Sequence, residues 1–178
     1  AMVWGISATI GNIEQAMEVL TYADNKKKII IRSAIKKQTE IHSLIPNEIT
    51  LLPWAGHLGL KMAAEIVPII DHARSTLIFT NTRSQAEMWY QIMLQIYPDL
   101  AGQTAIHHSS IDAELRNWIE ENLSNGNLKA VVSTSSLDLG VDFKPVDTVI
   151  QIGSPKGVAR FLQRAGRSGH SPHETSSI

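Results

Sequence analysis

Apolar positions along the chain fall into six short runs: MVWGISA (2–8), KKIIIRSA (27–34), TLIFTN (76–81), QTAIHH (103–108), KAVVST (129–134) and DTVIQIG (147–153). The later runs are continuous and rich in valine and isoleucine, as strands covered on both sheet faces should be. Between them the period changes. Ala86, Trp89, Tyr90, Met93, Leu94 and Tyr97 recur at helical spacing, and Pro98 ends that helix. Asp112 is placed as the N-cap of a second helix with Leu115, Trp118, Ile119 and Leu123 as its apolar stripe, and the SNG at 124–126 closes it. A further helix is expected from Leu58 onward, after an irregular stretch that begins near Thr39. Strand and helix in alternation with short joints predict parallel βαβ units with right-handed crossovers and helices on both sheet faces.

The first part of the chain breaks this rhythm. MVWGISA followed by IGNIEQAMEVL is one strand and one helix, and TYADNKKK is polar and charged. Residues 1–25 are therefore read as the tail of a preceding domain, and 26–178 as the main domain. The chain opens inside a strand pattern, so it is expected to be a piece of a longer protein. A length of 178 residues with 43% hydrophobic residues is enough for one well-formed core.

Charge narrows the chemistry. Sixteen Lys and Arg against 17 Asp and Glu leave a net charge of -1, so no global positive field draws the surface onto nucleic acid. Any such binding has to be local. Cys 0 excludes disulfides and cysteine-containing zinc sites and fits a reducing cytoplasm. His107, His108, His170 and His173 have no ligand spacing, so no metal site is expected. No apolar run reaches the ~20 residues of a membrane span, so no membrane role is expected.

In an open parallel sheet, ligands collect beyond the carboxyl ends of the strands. The small polar stretches of this chain fall there: TNTRS (80–84), HHSS (107–110), STSSLDLGVD (133–142) and GSPKG (153–157). QRAGRSGH (163–170) follows one helical stretch later, with Arg167 framed by Gly166, Ser168 and Gly169. Hydroxyls, backbone amides near glycine and a few arginines suit phosphate oxygens. Arg164 is read either as a ligand contact or as a brace held by an ion pair. Asp138 is read as a turn acid, while Thr134 and Ser135 are read as helix caps, phosphate contacts or both. One of His107 and His108 is expected to point into the sheet, with His107 and Ile106 mainly structural. Trp89 and Trp118 are expected in the core. Trp54 either pins the linker or stacks a base.

Five of these stretches, in this order, resemble the motifs of superfamily 2 helicases. SAT (Ser7, Ala8, Thr9) resembles motif III, TLIFTNTRSQAE motif IV, and IHHSSIDAELR the segment after it. VVSTSSLDLGVDF resembles motif V and QRAGRSGH motif VI. PWAGHLG (53–59), TSSLDLGVDF and QIGSPKGVARFLQRAGRSGH are closer still to the ligase-associated DEXH-box helicases of the large-helicase-related family. The resemblance implies a RecA-like three-layer α/β/α sandwich with a mostly parallel sheet, working beside a first RecA-like domain of the same protein. That first domain carries the phosphate-binding loop and the DExH motif; neither GxxxxGK[ST] nor DExH occurs in this sequence.

The resemblance also implies roles. Arg167 would be the arginine finger, with Gln163 positioning the attacking water or the γ-phosphate. Gly140, Asp142, Arg164 and His170 would serve the nucleotide. Thr82, Arg83, His108, Ser109, Arg116, Thr134 and Ser135 would contact the strand, and Ser7 and Thr9 would couple the domains. His170 stands where many relatives have a second arginine, and Leu139 where many have an arginine before the motif V glycine; both departures agree with the closer family. The implied cofactor is ATP with Mg2+, whose ligands lie in the first domain. The implied partners are single-stranded or partly duplex DNA, with DNA ligase and nuclease partners in bacterial, nucleoid-associated DNA repair. This chain alone is expected to be inactive. A strand-binding module without ATP turnover and a duplex translocase that does not unwind are the alternatives.

Overall fold

The computed structural model describes residues 3–7, 10–21, 28–32, 38–45, 62–138, 143, 145–169 and 176–178. Six strands, β1 (Thr39–Glu40), β2 (Ser75–Phe79), β3 (Thr104–His107), β4 (Ala130–Ser133), β5 (Val146–Gln151) and β6 (Ser176–Ser177), form one sheet in the order β1-β6-β5-β2-β4-β3. Every neighbouring pair is parallel. The helices are α1 (Ile13–Thr21), α2 (Ala63–His72), α3 (Arg83–Ile96), α4 (Ala113–Ser124) and α5 (Val158–Ala165).

Strand alternation sorts the side chains into two cores. On one face Ile78, Ala130, Val132 and Ile152 pack with Ile66 and Ile70 of α2 and with Ala86, Trp89 and Met93 of α3. On the other, Leu77, Phe79, Val131 and Val149 pack with Ile119 and Leu123 of α4 and with Leu137 and Phe143. A parallel sheet sealed on both faces is what continuous apolar runs require, because the strand backbone is satisfied only by its neighbours. The expectation of an α/β sandwich from the later four runs is met at β2, β3, β4 and β5.

Several sequence expectations fail. MVWGISA and KKIIIRSA form no strand over their described residues 3–7 and 28–32, and Val3, Trp4, Ile29 and Ile31 are exposed. An apolar run becomes a strand only where a neighbour offers a ladder, and among the described residues none pairs with these two. The strands that do complete the sheet edge, β1 and β6, are two polar residues each. Trp118 is not in the core: it is 50% exposed, and Leu115 is exposed beside it, because only Ile119 and Leu123 of α4 reach the sheet. Asp112 stands at the N-cap of α4, but its side chain makes no capping hydrogen bond. α1 buries no residue, and the boundary expected near residue 25 lies outside the described residues, as do Trp54 and His173. No described helix is long and apolar enough to cross a membrane.

Candidate nucleotide and nucleic-acid site

The carboxyl ends of the four central strands form one continuous rim, tied beyond the ladders by backbone hydrogen bonds. Ile152 N–H donates to Phe79 O (2.8 Å), Thr80 N–H to Ser133 O (2.8 Å) and Thr134 N–H to His107 O (3.3 Å). The polar loops therefore leave the sheet side by side in the order β5, β2, β4, β3. The loop after β5 is also joined to the loop after β2, since Asn81 Nδ2 donates to Ser154 O at 2.9 Å. Gly153, with φ +70, makes the reversal that brings this carbonyl round, a conformation costly for any residue with a Cβ.

At the β2 corner, Thr82 caps α3 by accepting Gln85 N–H at 3.2 Å, and the Gln85 side chain accepts Asn81 N–H at 3.2 Å. This reciprocal arrangement satisfies amides the helix start leaves open. Thr82 and Arg83 are exposed, and Arg83 Nε lies 2.8 Å from Glu87 Oε1, one turn further along α3. That hydrogen bond holds the Glu87 carboxyl below its ordinary pKa. His108 Nε2 is 3.8 Å from the same oxygen, so Glu87 brings Arg83 and His108 together across the rim.

The two histidines are both interior. His107 is 1% exposed, with Nδ1 2.7 Å from Ser136 Oγ and Nε2 3.2 Å from Glu120 Oε1. Burial pushes its pKa down, more than the neighbouring Glu120 carboxylate pushes it up. The neutral ring is thereby favoured, with one nitrogen against Glu120 and the other against Ser136, whose hydroxyl also donates to His107 O at 3.1 Å. His108, which the family resemblance assigned to the strand track, is also buried; its Nδ1 accepts Ser110 N–H at 3.3 Å. Its place is under the rim rather than on it, because the chain turns into α4 directly after it. Ser109 is exposed, and Arg116 from α4 donates Nη1 to Ser109 O (3.0 Å) and Ile111 O (3.2 Å), fixing that turn.

At the β4 corner, Thr134 is half-buried and Ser135 exposed, and Ser135–Leu137 form one 3-10 turn whose N-cap, Thr134, makes no side-chain cap. Asp138 follows it and is buried, which a simple turn acid would not be. Its Oδ1 accepts Arg164 Nε at 2.7 Å and its Oδ2 lies 3.3 Å from Arg160 Nε. Arg164 is 1% exposed; Nη1 donates to Gln151 Oε1 at 2.7 Å, and Cζ sits 4.7 Å from the Phe79 ring centroid. Of the two sequence readings of Arg164, the brace is the one its surroundings match. A guanidinium enclosed in this way does not present itself to a nucleotide at the surface. Sequence reasoning missed Gln151 altogether. The signal for it was physical: an arginine inside a core needs both an anion and a further acceptor.

Arg167 lies just past α5 and is half-buried, with its backbone N–H bonded to Arg164 O at 2.9 Å. Gln163 is also half-buried, and Ser7 is exposed. Gly169, at φ +62, donates its N–H to Val146 O and turns the chain back onto the sheet. Thr9, Gly140, Asp142 and His170 lie outside the described residues. No group of three His, Asp or Glu among the described residues is arranged to hold a metal ion.

Comparison with known proteins agrees with this geometry. Residues 60–171 match the helicase conserved C-terminal domain. The ATP-dependent helicase Lhr-Core of Methanothermobacter thermautotrophicus is 36% identical over 177 residues, covering 97% of this chain and 20% of that protein. The ATP-dependent helicase Lhr-Core protein 2 of Thermococcus barophilus is 38% identical over 178 residues, with 97% and 20% covered. Among solved structures, the Mycobacterium smegmatis helicase Lhr bound to ssDNA and AMP-PNP superposes with a TM-score of 0.79 at 31% identity. It covers 96% of this chain and 22% of that one. The chain spans about a fifth of the length of the curated relatives it matches. Motif order, a RecA-like parallel sheet and these matches agree, and the chain belongs to the helicase conserved C-terminal domain family, with Lhr-type helicases as its relatives.

Proposed function

We propose that this chain is the second motor domain of an ATP-dependent DNA helicase or translocase, with Arg167 as its arginine finger. The observation that carries the reading is the joined rim. The loops after β2 and β4, which bear motifs IV and V, and the loop after β5, which leads into the motif VI helix, leave adjacent strand ends tied by two backbone hydrogen bonds, and a third ties β4 to β3. The half-buried Arg167 stands one helix beyond that rim. In phosphoryl transfer, negative charge spreads over the γ-phosphate oxygens, and a planar guanidinium meets two of them with parallel hydrogen bonds. Gln163, one turn earlier, would orient the attacking water. ATP with Mg2+ would be held chiefly by a first motor domain, so that hydrolysis requires the domains to close and release allows them to open. Exposed Thr82, Arg83, Ser109 and Ser135, with Thr134, offer hydroxyls and charge to strand phosphates; His108 would act from beneath them. Ser7 and Thr9, with Gly140, Asp142 and His170, keep the roles the family resemblance assigns. So does the setting, DNA repair beside ligase and nuclease partners.

The test is steady-state ATP hydrolysis by a protein joining this domain to a first motor domain, with and without single-stranded DNA. Arg167→Ala should lower DNA-stimulated turnover by ~10³-fold or more while nucleotide affinity changes little. Turnover equal to the parent removes the finger assignment, whereas a parent that hydrolyses no ATP leaves a strand-binding module. This chain by itself should neither hold ATP tightly nor hydrolyse it.

A further inference from the structure

Arg164 and Arg167 share one motif, yet only Arg167 approaches the surface. The Arg164 guanidinium joins three segments of chain: Asp138 from the loop after β4, Gln151 at the end of β5, and its own last turn of α5. Gln151 is oriented in turn, since its amide donates to Ile152 O (3.0 Å) and Gly153 O (3.2 Å). Phe79 covers one face of the guanidinium.

Stability alone is a poor reason for this arrangement. Replacing a buried ion pair with apolar side chains of similar volume is often neutral or stabilising. What an apolar cluster does not supply is direction. A planar fork held by a carboxylate on one edge and an amide oxygen on another fixes the rotation of the helix that carries it. The next turn is built on that helix end, because Arg167 N–H bonds to Arg164 O.

We propose that Asp138, Arg164 and Gln151 are positioning residues that lock the loop after β4 to the end of α5, so that Thr134 and Ser135 move with Arg167 as one body. The inference rests on the reading of Arg167 as the finger. It gives strand contact a mechanical route to the nucleotide: a phosphate gripped at 134–135 shifts the same rigid piece that aims the guanidinium.

Two substitutions test it in the protein that joins this domain to a first motor domain. Arg164→Lys keeps the charge but loses the fork, and Gln151→Leu removes one acceptor while leaving the ion pair, so it carries the same test if the lysine variant fails to fold. Either should cut the DNA-stimulated kcat by roughly 10- to 100-fold, the scale of a misplaced reacting group, with KM for ATP unchanged. Combined with Arg167→Ala, either should cost nothing further in turnover, because it acts only through Arg167. Losses that multiply in the double variants overturn the positioning role and leave the finger intact. Parental turnover in both single variants also overturns it. If Arg167→Ala alone turns over normally, the finger reading falls and this inference falls with it.

Discussion

Two corners of the rim are built in opposite ways. The helix cap at the β2 corner closes locally, with neutral groups three or four residues apart: Thr82 with Gln85, and Gln85 with Asn81. The β4 corner closes over a long separation with buried charge, Asp138 reaching Arg164 across 26 positions. A local cap tolerates loss, because water can replace it. A buried charge does not, since removal of its partner strands an ion in a low-dielectric interior. The same rim therefore carries one loop that can be edited cheaply and one that cannot.

The largest effect expected from this contrast is at Asp138. Asp138→Ala leaves Arg164 1% exposed without its carboxylate and should cost about 3–5 kcal/mol of unfolding free energy, read from urea denaturation of this chain. A loss no greater than that at the β2 corner would erase the distinction. Thr82→Ala comes next, at about 1 kcal/mol in the same assay, because only one capping hydrogen bond goes. The smallest is a tilt with pH at the neighbouring β3 corner. Burial lowers the pKa of His107 in the folded state, so below its ordinary value near 6.5 the unfolded chain takes up the proton more readily. Stability contributed by the neutral ring is thus present above that value and is lost as pH falls from about 6.5 toward the lower folded value. Glu120, Arg116 and His108 are the charged or titratable groups facing the ring. Denaturation midpoints at pH 7.5 and 5.5 should separate in the parent chain and converge in His107→Asn.

Local chemistry was legible in the sequence and long-range chemistry was not. The runs around Leu77, Ala105, Val131 and Val149 announced their strands because burial on both faces leaves a continuous apolar signature. The cap that Thr82 and Gln85 form is local too, although the sequence reading has Thr82 only as a strand contact and places a cap at Asp112 that makes no such bond. β1 and β6 had no such signature, since two polar residues owe their strand geometry to their neighbours. Trp118 fitted a helical stripe, but a stripe says which residues share a side of a helix, not how far the sheet beneath it extends. Asp138 and Arg164 were each visible, and only folding brought them together. The glycine frame of Arg167 and the family resemblance together single that residue out for the finger role, and the side chain lies half-buried just past α5.

The parallel sheet also has a kinetic consequence. Its central pairing, β2 with β5, joins segments such as Arg74 and Asp147, which meet at 3.0 Å from 73 positions apart. Non-local pairing of this kind slows folding relative to a helical domain of the same size. Without it Gln151 is not beside Phe79, and Arg164 has no dry site to occupy. Dehydration of the buried arginine is thus tied to a contact between distant parts of the chain and not to any local element.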